Sequence, residues 1–338
     1  MTILITGGSG FVGINIIETF LDAGIDVVNY SLTPVPIEAE RVFQEKKGHY
    51  LYVEGDILNG ESLIQTLRRY QIKRLIHAAA ITPDIEHEKK YFTKISSINY
   101  NGTLTVLEAA KTVGIDKFFY ISSCTVYGET GYKDTLLQEK TSIPLPTNLY
   151  EITKYAGERL ALRYKTLYDL PVTICRLGYV FGAWEHYTGV RQTLSVPFQI
   201  TKAAFLNEAI HLPRPGVRDW VYSRDAAAAI YHLVQSENLQ EEVFNIGSGH
   251  VWSIVQWCEL LQQKFPEFSY QLEDDLSLCN VDYFGDKDIQ ELSVEHLKAE
   301  GYTPKYGLHE AFKNYMAWLE QTSLFWATPK EPQAVVNK

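Results

Sequence analysis

Residues 3–13 read Ile3-Leu4-Ile5-Thr6-Gly7-Gly8-Ser9-Gly10-Phe11-Val12-Gly13, and this stretch decides the fold. Ile3, Leu4 and Ile5 form a short apolar run of the kind buried as a strand, and the glycines begin where it ends. From Phe11 onward Val12, Ile16, Phe20 and Leu21 recur near a period of 3.6, which predicts a helix. A strand, a glycine turn and a helix in that order make a phosphate cradle. Gly7 permits a tight turn, Gly10 lets a pyrophosphate approach the backbone, and Gly13 lets the helix pack closely on the strand. The N–H groups of the first helical turn, at the positive end of the helix dipole, then face the phosphates. The spacing Gly7-x-x-Gly10-x-x-Gly13 departs from the commoner dinucleotide pattern. Its place directly after an apolar strand therefore carries as much of the argument as the glycines do.

The rest of the chain narrows the class. With 338 residues it is long enough for one large or two modest domains. Hydrophobic residues make up 46% and charged residues 21%, the proportions of a globular protein. A net charge of −10 disfavours nucleic acid and anionic membranes as partners. No run is long and apolar enough to span a bilayer, and no secretory signal precedes the first strand. The four cysteines, Cys124, Cys175, Cys258 and Cys279, are far apart and form no Cys-x-x-Cys pair. They fit a reducing cytoplasm better than a disulfide framework, and no metal site is expected.

Strand and helix signals alternate after the first helix. Asp26–Tyr30, Tyr50–Val53, Lys73–His77, Lys117–Ile121 and Val172–Leu177 read as strands, with a long helical region from about Glu88 to Val113 and another from Asn148 to about Tyr168. Few hairpin signals separate them, so a doubly wound parallel α/β sheet follows. Ser31 ends the second strand, where dinucleotide folds often carry an acid for the ribose hydroxyls. An acid there would repel the 2′-phosphate of NADP and serine does not, yet Ser31-Leu32-Thr33-Pro34 brings no arginine. The choice between NAD and NADP stays open, with a lean toward NADP. Asp56 reads either as an acceptor for the adenine amino group or as a cap for the segment from Asn59. Ala78 and Ala79 leave room at a strand end, for a cofactor or for close packing. Beyond Gly178 the alternation fades: residues 182–216 read as loops and short helices over a pocket, and Ala226–Val234, Ile254–Phe265 and Leu308–Leu319 as helices.

Tyr150 and Lys154 lie four apart on a predicted helix and so share one face. An ammonium beside a phenol favours the phenolate and makes it a workable proton acceptor near neutral pH. Ser123, at the end of a strand, is placed to hold a substrate hydroxyl. Alone, a Tyr-x-x-x-Lys pair is an ordinary helix contact. Together with the cradle and the serine it is a candidate catalytic set.

The sequence resembles the extended short-chain dehydrogenases/reductases, in particular the sugar epimerase/dehydratase family. The resemblance runs through Thr6–Gly13, Glu54-Gly55-Asp56, His77-Ala78-Ala79, Asn99-x-x-Gly102-Thr103, Ser122-Ser123 with Val126-Tyr127-Gly128, Tyr150-x-x-x-Lys154 and Arg218-Asp219-Trp220-Val221-Tyr222. It implies Tyr150 as catalytic base and acid, Lys154 as its tuner and ribose ligand, and Ser123 or Ser122 as the residue binding the reacting oxygen. It further implies that Gly7, Gly10, Phe11, Val12, Gly13, Ser31, Asp56, Ile57, Ala78, Ala79, Asn99 and Ser122 line the cofactor. Thr82, Cys124, Thr125, Tyr179, Arg191 and Arg218 then fall on the substrate side. Residues 1–178 with about 220–250 would form the nucleotide-binding domain, and about 179–219 with 251–328 the substrate domain, followed by a flexible tail, 329–338. Helix pairing between subunits implies a homodimer.

Three departures bear on the reaction. The resembling 4,6-dehydratases carry an Asp-Glu pair after the Ser/Thr, whereas this chain has Cys124-Thr125, which disfavours dehydration and looks more like the 4-epimerases. Tyr179 stands where nucleotide-sugar enzymes usually place a diphosphate-binding asparagine. No arginine occurs in Asn280–Asp286, where they carry another diphosphate contact. Losing a charge-assisted hydrogen bond costs on the order of 1.5–3 kcal/mol, so a keto intermediate would be held less firmly. The expectation is NAD(P)-dependent hydride transfer at a sugar or sugar-nucleotide carbinol, most simply a 4-epimerase-like reaction. A net dehydrogenase of a non-nucleotide sugar or sugar acid is the alternative. A non-catalytic NAD(P)-binding sensor is the reading from another class.

Overall fold

The computed structural model describes residues 1–188, 191, 194–283, 285 and 287–322. Seven parallel strands form its central sheet: β1 (Thr2–Thr6), β2 (Asp26–Ser31), β3 (Tyr50–Glu54), β4 (Arg74–His77), β5 (Lys117–Ser123), and the strands Val172–Leu177 and Val243–Ile246. From one edge the order is Val243–Ile246, Val172–Leu177, β5, β4, β1, β2, β3, so the winding reverses between β4 and β1. Thr6 pairs with Tyr30 and His77, His77 with Tyr120, and Ser123 with Leu177. That register aligns the carboxyl ends of the strands along one edge, where such sheets bind ligands.

The inner strands are largely apolar because both faces are covered, whereas no residue of the edge strand β3 is fully buried. Helix Phe11–Asp22 packs against helix Ser223–Gln235 on one side, and Gly102–Val113 against Gly60–Arg69 on the other. Arg176 is the exception within the fully buried strand Val172–Leu177. Its charge is met by Glu158, which accepts from Nε at 3.0 Å and Nη2 at 2.7 Å. A buried charge tolerates such a site only when paired and hydrogen-bonded in this way.

Helix Leu149–Tyr168 begins at a capping box, in which the Asn148 side chain accepts from Glu151 N–H and Glu151 reaches back to the Asn148 N–H. It lies tightly on β5: a Cβ at Gly157 would fall 2.2 Å from the Tyr120 hydroxyl oxygen. The helical region expected from Glu88 to Val113 is three pieces, Ile85–Ser96, a π-helical turn Ser97–Asn101, and Gly102–Val113. Asn99 sits in the π turn. Its side chain accepts from Ile81 N–H at 2.8 Å and donates to Ile81 O at 3.0 Å and Thr153 Oγ1 at 3.2 Å. Such bulges commonly mark functional positions.

The C-terminal portion adds a three-stranded sheet in the order Val251–Ser253, Val217–Tyr222, Tyr179–Phe181. Helices Val196–Leu206, Ile254–Lys264 and Leu308–Gln321 surround it. Phe181 meets Trp252, Trp257 and Tyr315 edge-on, and Trp252 stacks on Trp257 at 5.4 Å. These rings join one apolar core that runs from Ile3 and Ile5 to Trp318 and Leu319. Residues 182–216, expected as loops and short helices, contain the full helix Val196–Leu206 and a strand Ile210–Leu212 paired with Tyr270–Leu272. The expected tail, 329–338, lies outside the described residues. Among the described residues no helix is long and apolar enough to cross a membrane.

Candidate active site

The glycine turn after β1 is built around contact with the loop after β4. Gly7 has φ +72°, and a Cβ on it would stand 2.6 Å from both Cα and N of Ala79. Its N–H donates to Tyr30 O, and Gly10 N–H donates to Gly7 O. Gly10 is the N-cap of helix Phe11–Asp22 and offers no side-chain cap, so the first-turn N–H groups of Phe11, Val12 and Gly13 await an outside acceptor. A Cβ at Gly10 would meet only Gly7 O, at 3.3 Å, so no neighbouring side chain crowds that position. An uncapped helix end beside a bare backbone fits a dinucleotide pyrophosphate.

Ser31 lies at the end of β2, where its hydroxyl donates to Asn29 Oδ1 at 2.7 Å and accepts from Ser9 N–H at 3.4 Å. Both partners are neutral. The geometry suits a ribose hydroxyl and gives the lean toward NADP no support. Asp56 Oδ1 accepts from Leu58 N–H, bracing the turn in which Ile57 is buried. Asn59, two residues on, caps helix Gly60–Arg69.

Tyr150 and Lys154 face the carboxyl end of β5 from one turn of helix Leu149–Tyr168. Burial raises the Tyr150 phenol above its ordinary value, while the Thr82 and Ser123 hydroxyls and the Arg191 charge pull it back down. Lys154 is 3% exposed. Its ammonium donates to Ile121 O and lies 4.3 Å over the Tyr120 ring. Burial pushes it down to about 7, with Glu158 opposing. The Ser123 hydroxyl accepts from Thr125 N–H at 3.2 Å and Thr125 Oγ1 at 3.0 Å. Its own proton faces the Tyr150 oxygen, whose phenol it helps pull down. Ser122 is committed elsewhere: its hydroxyl donates to Glu158 Oε1 at 2.6 Å inside the wall.

Two buried groups hold the wall behind this set. Asn99 ties Ile81, and hence the neighbouring Thr82, to the helix that carries Tyr150. His77 lies between Thr6 Oγ1 at 2.7 Å and Thr103 Oγ1 at 3.0 Å. Thr103 spends its one proton on Asn99 O, so the His77 Nε2–H donates to Thr103 and Nδ1 accepts from Thr6. Burial, with Lys154 nearby, pushes His77 down to about 3 and keeps it neutral.

Among the residues expected on the substrate side, Cys124 is buried, and burial raises its thiol to about 12. Tyr179 lies under the Arg218 guanidinium at 4.4 Å. Arg218 is 2% exposed, and its Nε donates to Asp288 Oδ1 at 2.7 Å. Arg191 pairs in β-bridge fashion with Thr82, lies 4.7 Å over the Phe11 ring, and donates to Glu185 Oε1 at 2.8 Å. Glu185 is buried and also accepts from Ser195 N–H and Oγ. Sequence reasoning missed Asp288 and Glu185. Asp288 lies just past the segment lacking the expected arginine, and Glu185 follows Trp184 in a region with no helical or strand period.

Residues 3–247 match the NAD dependent epimerase/dehydratase family. The mouse (Mus musculus) dTDP-D-glucose 4,6-dehydratase is 26% identical over 332 residues, covering 96% of this chain and 90% of the mouse protein. The crystal structure of dTDP-glucose 4,6-dehydratase from Bacillus anthracis in complex with NAD superposes with a TM-score of 0.79 at 23% identity, covering 97% of this chain and 99% of that one. The UDP-glucuronic acid 4-epimerase from Bacillus cereus, in complex with UDP-glucuronic acid and NAD, gives a TM-score of 0.79 at 24% identity, covering 95% and 99%. The chain belongs to the NAD-dependent epimerase/dehydratase family and is an enzyme of the extended short-chain dehydrogenase/reductase type.

Proposed function

We propose that this family member transfers hydride at a secondary carbinol of a sugar or sugar nucleotide, in a 4-epimerase-like cycle through a transient ketone. One observation carries the reading: the Tyr150 phenol stands among the Ser123 and Thr82 hydroxyls, with the Lys154 ammonium one turn further along the same helix. Gly7, Gly10, Phe11, Val12, Gly13, Ala78 and Ala79 would hold the cofactor, with Ser31 and Asp56 toward its adenosine end. When bound, the nicotinamide supplies the acceptor for the hydride. Ser123 donates to the carbinol oxygen and fixes it. Tyr150 takes the hydroxyl proton as the C–H bond breaks and returns it when the ketone is reduced. Lys154 stabilises the phenolate between those events. We take NAD as the resident form, because the partners of Ser31 are neutral.

The same residues disfavour water elimination. Cys124, whose thiol burial keeps protonated, and Thr125, a hydroxyl, offer no carboxylate to take and return a proton near neutral pH. Glu151, the residue after Tyr150, accepts from Thr147 N–H at 2.7 Å and serves its own helix start. A net dehydrogenase is the second reading, favoured by the pairing of Arg218 with Asp288, which weakens any hold on a charged intermediate. Cofactor stoichiometry separates the two. An inverted sugar formed with catalytic NAD supports the epimerase, and one reduced nicotinamide per product supports the dehydrogenase. Tyr150→Phe should abolish turnover while cofactor binding persists; unchanged turnover would overturn the hydride-transfer reading, and no turnover in either form would favour a sensor.

We further read residues 1–178 with about 220–250 as the cofactor half, and about 179–219 with 251–322 as the substrate half. A second copy of the chain is the proposed partner. Ile85 (69% exposed), Phe92 (56%) and Ile152 (45%) leave apolar surface on the helices beside the site, which pairing would cover. Sedimentation at micromolar concentration reads that directly. The four unpaired thiols suit a cytoplasmic setting.

A further inference from the structure

We propose that Asp288 occupies an anion seat on the substrate wall, so that the pocket selects a sugar carrying no diphosphate. The inference deepens the hydride-transfer reading and rests on it for the identity of the pocket. Two guanidinium groups converge on this one carboxylate. Asp288 Oδ1 accepts from Arg218 Nε at 2.7 Å and Arg214 Nη2 at 3.0 Å, and Oδ2 accepts from Arg214 Nε at 3.3 Å and Val217 N–H at 3.1 Å. Four donors, three of them from the two charged guanidinium groups, make the arrangement a phosphate or carboxylate would otherwise complete.

The seat adjoins the reacting groups through a short line of contacts. Arg218 lies on the Tyr179 ring at 4.4 Å, and Tyr179 packs on the cluster containing Cys124, the residue after Ser123. Arg218 has little left to offer. Its Nη2 donates to Tyr283 O at 2.9 Å, and Trp220 lies on it at 5.3 Å. The other substrate-side arginine shows the same design, since Arg191 is ion-paired with the buried Glu185. Both charges that would attract a diphosphate or a sugar acid are met from within the chain. A phosphate entering here must displace a carboxylate already holding four hydrogen bonds, whereas a neutral sugar meets no such competition.

The test uses UDP as probe, titrated calorimetrically into the wild type and into Asp288→Asn, each saturated with NAD. The expected result is weak UDP binding by the wild type, about tenfold or more tighter binding by Asp288→Asn, and loss of that gain when Arg218→Gln is added. Equal or weaker UDP binding by a folded Asp288→Asn protein would overturn the proposal. Should that variant not fold, the wild type decides the matter through KM. A lower KM for a UDP-sugar than for the corresponding free sugar overturns the seat, and the reverse order supports it. UDP binding needs no turnover, so failure here is distinct from failure of the Tyr150→Phe test.

Discussion

Gly7 and Ala79 approach so closely that a β-carbon on Gly7 would stand 2.6 Å from the Ala79 Cα. The contact joins the turn after β1 to the loop after β4, the two strands between which the sheet reverses its winding. Backbone touches backbone there, beside the helix end proposed to hold the cofactor.

Gly7→Ala tests that relationship. The residue has φ +72°, which costs an alanine roughly 1–2 kcal/mol, and the clash with Ala79 adds overpacking of roughly 1–3 kcal/mol. Denaturant unfolding should show a loss of about 2–5 kcal/mol, and NAD affinity should fall with it. Unaltered stability would mean that the turn and the Ala79 loop are free to move apart.

Asn99→Ala removes both hydrogen bonds to Ile81 and the one to Thr153. Leaving the Ile81 N–H and C=O without partners costs about 1–3 kcal/mol each where they are shielded from water. The next residue, Thr82, helps set the Tyr150 phenol, so kcat should drop about ten- to a hundredfold through misplacement. NAD binding should change little. Steady-state kinetics beside a cofactor titration separates the two effects, and equal loss in both would make Asn99 a support of the whole fold.

The parts of this site that the sequence announces are local ones. Tyr150 and Lys154 share a helix face by spacing alone, and Ser123 follows an apolar strand. Glycine spacing at the first turn is equally short-range. What could not be read depends on contacts across the chain. Arg218 and Asp288 are 70 residues apart, and nothing in the identity of either names the other. The π turn at Ser97–Asn101 is likewise invisible, because the partner of Asn99, Ile81, lies 18 residues away outside the helix. Asp56 was ambiguous for a related reason: a short acid at a strand end satisfies backbone donors and ligands by the same geometry, and here it accepts from Leu58 N–H.

His77 makes acid stability a readout of the wall behind the site. Its folded value, near 3, lies below the ordinary 6.5 because burial and then Lys154 disfavour the charged ring. The unfolded chain therefore binds the extra proton first as pH falls. The contribution is fully present above pH 6.5 and is lost progressively as pH drops through 6.5 toward 3. His77→Gln has no proton to take up, so its unfolding free energy should fall less steeply across that window than the wild type's. Parallel slopes for the two proteins would place the acid sensitivity elsewhere.

Lys154 acts in the same direction at higher pH. Burial lowers its value from 10.5 to about 7, with Glu158 partly countering the shift. Between those limits the unfolded chain keeps its proton while the folded chain has released it, so stability without cofactor rises with pH from about 7 to 10.5. Below pH 7 the cost of burying the charge is fully felt and the slope from this residue vanishes. The size is on the order of a few kcal/mol across the window. Lys154→Met abolishes the slope and should give a more stable, cofactor-free protein at neutral pH that no longer turns over, since the phenolate of Tyr150 has lost its counter-charge. A bound dinucleotide brings phosphate charge and ribose hydroxyls to the same edge, which favours the ammonium. NAD should therefore stabilise the wild type more at pH 7 than at pH 9, and stabilise Lys154→Met equally at both. Thermal unfolding at the two pH values, with and without NAD, reads all four states. Equal stabilisation of the wild type at both pH values would mean that the Lys154 ammonium takes no part in holding the cofactor.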